Sequence, residues 1–591
     1  MSEASYVKGG SFLVRETTPE EVFTPEDLTS EQLMYAKTAR DFVENEVLPL
    51  SDRIEEKDFA VTKALFKKAG ELGLLMADIP EEFGGLGLDK ASSALIAENM
   101  SGQGSFSVMY GAHTGIGTLP LVYYGTPELK AKYLPGIADG TTIACYALTE
   151  PTAGSDALSG RAKAVLSADG THYILNGTKQ FITNGGIADC FTVFAKIDGE
   201  QFTGFFLDKS TPGLSIGAEE HKMGIRGSST TTVILDEARV PVGNVLGAIG
   251  QGHKIAFNVL NIGRFKLGAA CAGASKNAIQ GALSYALERK QFGKRLADFG
   301  LIREKLAEML VRTYVAEASS YRTVGMIDAL LRAGGGAHGE AALQSIEEYS
   351  VECAMVKILG SEALDYVVDE AVQVYGGYGY CAEYPAERYY RDSRINRIFE
   401  GTNEVNRLLI PGMLLRKATK GEIPLFQAAK ALQEELMGIP SFDLEEDFSL
   451  LAAEKKLVAN LKKTCLFVAG VAAQKYGKGL ADQQMILART ADLITNTYAA
   501  ESTVLRALKD AARRGEAAAA LPLAAARIAC EAAMSRAEGF AREAVAAMEE
   551  GDTLATMLAA LRRLARRTPA NTAALRDQIA GRLVEAERIV L

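Results

Sequence analysis

The run Tyr146-Ala-Leu-Thr-Glu-Pro-Thr-Ala-Gly-Ser-Asp156 stands where the sequence changes from helical to strand-like. Before it, from about Thr29 to Gly140, apolar residues recur with helical spacing. From about Thr141 to Leu246, short β-branched and aromatic segments alternate with turn dipeptides such as Asn176-Gly177. The sequence therefore predicts a helical domain followed by a small antiparallel β domain, either a barrel or a sandwich.

Helical periodicity returns after Gly252 and continues to about Leu415. A stretch marked by Gly and Pro, Lys420 to Pro440, then precedes a last region rich in Ala, Leu and Arg. An α+β multidomain protein is predicted, with the following segments: an N-terminal extension (1–28), an N-terminal helical domain (29–140), a middle β domain (141–251), a C-terminal helical domain (252–415), a linker (416–450) and an appended helical domain (451–591).

Composition excludes several classes of protein. With 591 residues the chain is too long for one core, and its net charge of −10 argues against a nucleic-acid binder. The seven Cys show no C-x-x-C spacing and the five His are dispersed, so no disulfide framework and no metal centre are expected. The polar N-terminus resembles no export signal, and no apolar run approaches the roughly 20 residues that span a bilayer. These features predict a soluble, cytoplasmic protein.

A second informative run is Arg397-Ile-Phe-Glu-Gly-Thr-Asn-Glu404. Its Glu400 lies between an aromatic residue and a glycine. A carboxylate held against apolar surface has a raised pKa, which suits a general base, and Gly401 lets a substrate approach the backbone. Taken alone, the run is equally typical of a glutamate at a helix end beside a turn.

Two segments of the β region have the composition of a cofactor site. Thr149, Gly154 and Ser155 lie on a turn whose N–H groups could face phosphates. Phe181 and Thr183 stand at alternate positions, so in a regular strand both would face one side and offer an aromatic wall beside a hydroxyl. Each pattern is also common in strand-ending turns and half-buried strands.

Two further segments follow in helical sequence. Gln373-Val-Tyr-Gly-Gly-Tyr-Gly-Tyr380 lacks the strand-turn-helix setting of a dinucleotide fold, although it permits close approach to a pyrophosphate. Arg289-Lys-Gln-Phe-Gly-Lys-Arg295 supplies cations that could pair with phosphate. An exposed helix terminus explains the second segment equally well.

Together and in this order, the segments resemble the acyl-CoA dehydrogenase family. The resemblance rests on Tyr146-x-x-Thr-Glu-Pro-x-x-Gly-Ser-Asp, Phe181-Ile-Thr, Arg289-x-Gln-Phe-Gly, Gln373-x-x-Gly-Gly-x-Gly, Tyr389-x-Arg-Asp and Phe399-Glu-Gly-Thr. It implies an N-terminal helical domain, a middle antiparallel β-barrel domain and a C-terminal four-helix bundle, with FAD held between the subunits of a homodimer. The extra helical domain is similar to that of the very-long-chain branch and its bacterial fatty-acid-degrading relatives.

The resemblance also implies roles for individual residues. Glu400 would be the catalytic base that removes the substrate's α-proton while the β-hydrogen leaves as hydride. The implied cofactor-binding positions are Tyr146, Leu148, Thr149, Gly154, Ser155, Phe181, Thr183, Arg289, Gln291, Phe292, Gln373, Gly376, Gly377, Thr402 and Glu404. The implied substrate-binding positions are Gly111, Ala112, Ser155, Arg264, Phe399 and Gly401.

The sequence departs from the family pattern at four positions. Phe181 stands where many relatives have Trp, Gly300 replaces a Gln that many relatives direct at adenine, and Glu404 occupies a position often held by Gln. Gly263 stands where branched-chain relatives carry their catalytic Glu, which favours Glu400 as the sole base.

The resemblance also implies a class of substrate and an electron acceptor, and it raises the question of membrane contact. The small Gly111 and Ala112 imply long acyl chains, about C14 and above, with neighbouring lengths accepted. Electron-transferring flavoprotein is the implied acceptor; an acyl-CoA oxidase using oxygen, or an assembly scaffold for a respiratory complex, are the alternatives. Acidic residues in the linker and a basic run near the end of the chain predict at most weak peripheral membrane contact; these are Glu434, Glu435, Glu445, Glu446, Asp447 and the run Leu561 to Arg567.

Overall fold

The computed structural model of the protein describes residues 6–334, 340–437 and 447–590. Along these ranges a helical region is followed by a β region and then by further helices. The predicted α+β multidomain class, with helical parts on both sides of a β part, is confirmed. The residue at which each domain begins stays a prediction.

The N-terminal region is built of short helices. They are α1 (Ser30–Phe42), α2 (Ser51–Glu55), α3 (Phe59–Glu71), α4 (Lys90–Asn99), α5 (Gly104–Gly111), α6 (Leu119–Tyr124) and α7 (Pro127–Ala138). Helix α1 begins after Thr29, whose Oγ1 accepts from the Gln32 N–H while the Gln32 side chain accepts from the Thr29 N–H. Helix α5 continues as a π-helical segment over Ala112–Gly117. Gly111 and Ala112, two of the predicted substrate-binding residues, lie where these segments meet, on one wall of a cavity described below.

The middle region is one sheet. Its strands are β1 (Ala144–Ala147), β2 (Lys163–Leu166), β3 (His172–Thr183), β4 (Cys190–Ile197), β5 (Gln201–Asp208), β6 (Leu214–Glu219), β7 (Thr230–Pro241) and β8 (Val245–Leu246). They pair in the order β6-β7-β3-β2-β4-β5-β8, and β1 also pairs with β4.

The predicted antiparallel pairing is found for most strand pairs of this sheet, but two pairs are parallel. Strands β1 and β2 both run parallel to β4, with Ala144 opposite Cys190 and Lys163 opposite Lys196. A tight turn such as Asp198-Gly199, where both residues have positive φ, forces its flanking strands to be antiparallel. Strands without such a turn between them are free to pair in parallel. Among the strands described, pairing ends at β6 and at β8, so the predicted barrel closure is not seen.

Long helices follow the sheet. They are α8 (Gly252–Glu288), α9 (Gly300–Ala333), α10 (Glu340–Glu348), α11 (Ser350–Tyr375), α12 (Pro385–Ser393) and α13 (Asn403–Thr419), with a small ribbon of β9 (Lys290–Gln291) and β10 (Lys294–Arg295) after α8. Helices α8, α9 and α11 pack against one another, and α13 packs on α11. This helical core holds the turn that carries Glu400.

The remaining helices lie beyond α13. They are α14 (Leu425–Met437), α15 (Ala452–Tyr476), α16 (Gln484–Arg514), α17 (Ala520–Met548), α18 (Gly551–Leu564) and α19 (Thr572–Ala586). Helix α14 falls inside the predicted linker, because apolar residues such as the buried Leu432 recur there between the flanking glycines and prolines. The predicted acidic residues Glu445 and Glu446 lie outside the described residues.

Buried ion pairs fasten the appended helices to the core. Arg322 on α9 pairs with Glu501 on α16 at 2.8 Å. Arg506, also on α16, pairs with Glu317 on α9 at 2.5 Å and with Glu26 of the N-terminal extension at 2.8 Å. The extension is therefore held at the junction between the core and the appended helices.

The described residues bear on membrane contact in two ways. Across these ranges, no helix is both long enough and apolar enough to cross a bilayer. In the predicted basic run, Leu561 and Leu564 are buried, and Arg567 pairs with Glu531 at 2.9 Å. The apolar side of this run therefore packs inside the protein.

Candidate active site

An elongated cavity follows one face of helix α8. The α8 residues that line it recur at helical spacing; they are Gly263, Lys266, Leu267, Ala270, Cys271, Ala274 and Asn277. From Gly263 to Asn277 the helix rises about 21 Å. The cavity is therefore long and is bounded on this side by mostly small residues.

Helices α4 and α5 and the π-helical segment form the opposite wall. The residues that line it are mainly small, and they are Ser93, Ala97, Ser101, Gly102, Gly104, Ser107, Val108, Tyr110, Gly111, Ala112, Thr114, Gly115 and Ile116. Both residues predicted to leave the acyl tunnel open, Gly111 and Ala112, are thus on the cavity wall. The space beside Gly111 is open, because a Cβ placed there would meet no atom within 4 Å.

Glu400 lies at one end of the cavity on a turn just before α13. Its φ of 58° and the φ of 79° at Gly401 make two consecutive left-handed residues, a conformation that is strained for a side chain such as Glu. Thr402 ends the turn as the N-cap of α13, since its Oγ1 accepts from the Val405 N–H at 3.2 Å. Phe399, predicted to bind substrate, also lines the cavity.

The Glu400 carboxylate has the electrostatic character of a general base. Its Oε2 is buried and has no hydrogen-bond partner. Burial raises the pKa of Glu400 to about 7, although Arg264 and Lys357 favour the charged form. A base with this pKa is half ionised near neutral pH.

Gly263 provides the space that the Glu400 carboxylate occupies. A Cβ at position 263 would lie 2.5 Å from Glu400 Oε2 and 2.9 Å from its Cδ, closer than non-bonded atoms approach. The glycine at this position therefore makes room for the Glu400 carboxylate.

Two buried cations hold the backbone of the turn. Arg264 Nε donates to the Glu400 carbonyl at 3.2 Å, and Lys357 Nζ donates to the Gly401 carbonyl at 2.9 Å. The Arg264 guanidinium also donates to Asn261 Oδ1. A direct contact of Arg264 with acyl-CoA stays a prediction. Sequence reasoning missed Lys357; the available signal was a single Lys between the apolar Val356 and Ile358 of a helix.

The predicted cofactor segments of the β region lie side by side. The Gln180 N–H donates to the Thr149 carbonyl at 2.9 Å. Phe181 does not follow regular strand alternation, because the β3–β7 register shifts between Lys179 and Ile182 and Phe181 has a φ of 59°. Phe181, at this bulge, is 59% exposed, whereas Thr183 lines the cavity that ends at Glu400.

Other predicted positions in this part of the chain differ in exposure. Tyr146 and Leu148 are buried, and the Tyr146 hydroxyl has no partner. Gly154 and Ser155 are exposed on the turn, and Glu404 is exposed in the first turn of α13.

A buried ion pair locks the two β segments together. Lys179 Nζ lies 2.7 Å from Glu150 Oε1, and the Glu150 carboxylate also accepts from the backbone N–H groups of Arg161 and Ala162. We expect Lys179→Met to lower the free energy of unfolding by about 3 kcal/mol, because it leaves a buried carboxylate without its counter-charge. Urea unfolding of this variant and of the double variant with Glu150→Gln measures the effect. A Lys179→Met protein as stable as wild type would contradict this account.

The remaining predicted cofactor positions lie at the far end of α8. They are Arg289, Gln291 and Phe292 at and near the β9–β10 ribbon, Gln373 in the last turn of α11, and Gly376 and Gly377 just after that helix. The two groups meet, because the Arg289 guanidinium lies 5.5 Å from the centre of the Tyr378 ring. Position 289 is about 39 Å along the helix from Gly263. One chain therefore does not bring these residues to Glu400.

Comparison with known proteins identifies the family. Four family models match: the acyl-CoA dehydrogenase N-terminal domain over residues 29–141, the middle domain over 145–238, and two that are each described as the acyl-CoA dehydrogenase C-terminal domain, over 250–414 and 460–563. A "Probable acyl-CoA dehydrogenase" of Bacillus subtilis (strain 168) is 52% identical over 588 residues, 99% of either chain. The chain belongs to the acyl-CoA dehydrogenase family. It is an FAD-dependent oxidoreductase of that family.

Solved structures and a mammalian relative support the same family assignment. An acyl-CoA dehydrogenase complexed with FAD from Bacillus anthracis has a TM-score of 0.97 and 52% identity, covering 99% of this chain and 100% of that one. The very long-chain specific acyl-CoA dehydrogenase of Rattus norvegicus is 38% identical over 74% of this chain and 68% of its own. Butyryl-CoA dehydrogenase from Megasphaera elsdenii covers 66% of this chain, with a TM-score of 0.59 and 35% identity.

The residues of this dehydrogenase fit FAD. An exposed aromatic ring at Phe181 suits a flat ring system. At Gly376 and Gly377 an added Cβ would meet no atom within 4 Å, so a ligand has open access to the backbone. Arg289 is an exposed cation suited to a phosphate.

Proposed function

We propose that this dehydrogenase converts long-chain acyl-CoA to trans-2-enoyl-CoA with Glu400 as the base, and passes the electrons to electron-transferring flavoprotein. One observation carries the proposal: a buried carboxylate oxygen without a partner faces the end of a long cavity lined by small residues. Family membership supplies the reaction class.

The mechanism moves one proton and one hydride. Glu400 removes the proton from the α-carbon, the β-hydrogen leaves with its electron pair, and the α–β bond becomes double. FAD, when bound, supplies the acceptor for that hydride. Negative charge develops on the thioester oxygen, and the Glu400 N–H, which donates to no acceptor among the residues described, is available to stabilise it.

We assign FAD contacts to two groups of residues. The first group lies in the β region and at the start of α13, and comprises Tyr146, Leu148, Thr149, Gly154, Ser155, Phe181, Thr183, Thr402 and Glu404. The group at the far end of α8 comprises Arg289, Gln291, Phe292, Gln373, Gly376 and Gly377. Their separation of about 39 Å along the helix supports a homodimer in which each FAD is contacted by both subunits.

The depth of the cavity supports a long acyl chain. The lined face of α8 extends about 21 Å beyond the position of Glu400, and Ala274 lies near its far end. We expect Ala274→Leu to lower kcat/KM for palmitoyl-CoA about tenfold while changing octanoyl-CoA turnover little, because the larger side chain fills the distal part only. A chain-length series on both proteins measures the shift. An unchanged ratio would contradict this placement of the acyl chain.

The raised pKa of Glu400 predicts the pH dependence of turnover. The carboxylate is the active form, so activity is present above the pKa of about 7 and is lost as the pH falls through it. We expect kcat/KM to fall about tenfold for each pH unit below that value. A profile of kcat/KM from about pH 5 to about pH 9, which brackets the pH where this base titrates, measures the fall on the acidic side. A flat profile would contradict the prediction.

The acceptor distinguishes a dehydrogenase from an oxidase. One solved structure similar to 66% of this chain, with 37% identity and a TM-score of 0.60, carries the name of the electron transferring flavoprotein of Acidaminococcus fermentans. We expect palmitoyl-CoA turnover to reduce electron-transferring flavoprotein and to release little peroxide in air. Peroxide formed in step with enoyl-CoA would assign the oxidase function instead.

A further inference from the structure

Lys357 is a fully buried lysine beside the base. It lies on α11, and its Nζ donates to the Gly401 carbonyl at 2.9 Å and to Asn403 Oδ1 at 2.7 Å. Asn403 is held in turn by Ser361 and Glu362, whose oxygens accept from its Nδ2 at 3.1 Å each. The ammonium is therefore fixed in place from both sides.

The backbone that Lys357 holds is strained. Glu400 and Gly401 both have positive φ, and such a conformation persists only where the surroundings impose it. Arg264 binds the first carbonyl of the turn, while Lys357 and Asn406 Nδ2 bind the second, at 2.9 and 2.8 Å. The carboxylate thus has its direction into the cavity set by groups on three helices.

The charges around Glu400 come from several elements. The ionisable groups are Arg264 and Cys271 on α8, Cys353 and Lys357 on α11, Tyr146 on β1 and Glu404 on α13. Arg264 is the larger of the two cationic influences that favour ionised Glu400, and Lys357 is the second. Burial lowers the pKa of Lys357 to about 8, so at neutral pH it is still predominantly charged.

We propose that Lys357 is a positioning residue for proton abstraction: its ammonium holds the Gly401 carbonyl and keeps the Glu400 carboxylate ionised and directed into the cavity. This rests on the proposed function only in that Glu400 is the base. It assigns two tasks to one lysine, a hydrogen bond to the turn and a charge beside the carboxylate. Substitutions that keep one task and remove the other separate them.

The test titrates the Glu400 carboxyl directly in the holoenzyme. Infrared difference spectra against Glu400→Gln isolate its protonated-carboxyl band, and the band is followed against pH without any turnover. We expect Lys357→Met and Lys357→Gln to move the titration midpoint upward by about one pH unit, a tenfold rise in proton affinity, and the acidic limb of kcat/KM to move with it. Lys357→Arg keeps the charge and should titrate close to wild type.

Lys417→Met is the matched control. Lys417 is also a buried lysine that donates to backbone carbonyls, those of Glu348 at 2.7 Å and Gly9 at 3.1 Å, but it does not influence Glu400. Its loss should lower the thermal midpoint of unfolding and leave the carboxyl titration unchanged. A purely structural Lys357 would behave in the same way.

The outcomes separate this inference from the proposed function. An unshifted carboxyl titration in Lys357→Gln, or an equal shift in Lys357→Arg and Lys357→Gln, overturns the role of the charge. Lys357→Gln serves if Lys357→Met does not fold, because it retains a donor for the Gly401 carbonyl. Full activity of Glu400→Gln would instead overturn the proposed function, and the infrared titration would still report whether Lys357 acts on the Glu400 carboxyl.

Discussion

We expect Glu400→Gln to leave a folded protein that retains FAD and does not oxidise palmitoyl-CoA. We expect kcat to fall about 10⁴-fold, at the upper end of what a general base contributes. The amide cannot take the α-proton, and position 263 is a glycine, which cannot serve as a second base. The change is nearly isosteric, so the strained turn and its contacts with Arg264 and Lys357 remain. Anaerobic mixing with palmitoyl-CoA measures it through bleaching of flavin absorbance, which we expect in wild type only.

Glu352→Gln is the matched control for that experiment. Glu352 is also a buried glutamate with a raised pKa and an unpartnered Oε2, but its Oε1 accepts from the Gly10 N–H of the N-terminal extension. Its substitution should leave flavin bleaching intact. Equal loss in both variants would indicate that buried carboxylates matter here for folding, and the role of Glu400 as base would lose its support.

Gly263→Ala should be the second most damaging change. The added Cβ would lie 2.5 Å from Glu400 Oε2, so the carboxylate must move away from the cavity end or the turn must shift. Misplacing a catalytic group by about 1 Å can cost about 10²-fold in rate, and we expect that loss in kcat with a smaller change in KM. Steady-state kinetics with palmitoyl-CoA measure the changes in kcat and in KM separately.

Gly412→Ala is the control for a glycine inside a helix. On α13, a Cβ at this position would meet no atom within 4 Å, and alanine favours helix over glycine by about 1 kcal/mol. This variant should be fully active and no less stable than wild type. A Gly263→Ala enzyme with wild-type kcat would show that the carboxylate does not need the space that the glycine leaves.

The order of helical and β regions was predictable because each has its own periodicity and turn residues. The capping box at Thr29 and the Asp198-Gly199 turn are local signals of this kind. Parallel pairing of β1 and β2 with β4 was not predictable, since it depends on strands that meet far apart in sequence. The bulge at Phe181 likewise depends on the partner strand β7. Because of it, the prediction that Phe181 and Thr183 face the same side of a regular strand fails.

Within the site, the sequence singled out Glu400 as the candidate base, but it did not show which groups hold its turn. Glu400 stands out through the match of its run to the family pattern. Arg264 was predicted as a substrate contact, whereas its hydrogen bond to the turn, like that of the unpredicted Lys357, depends on how the helices pack. The small residues along α8 and α4 were visible in the sequence, but only the fold shows that they face one cavity. The separation of Arg289 from Glu400 along α8 also required the structure.

Exchange of the α-proton with solvent tests the central claim most directly. A substrate analogue with sulfur in place of the β-carbon has no β-hydrogen to lose, so only proton transfer to and from Glu400 is measured. We predict that the wild-type holoenzyme exchanges the α-protons of this analogue for deuterium in heavy water, and that Glu400→Gln does not. Exchange at the wild-type rate in Glu400→Gln would contradict the assignment of Glu400 as the base.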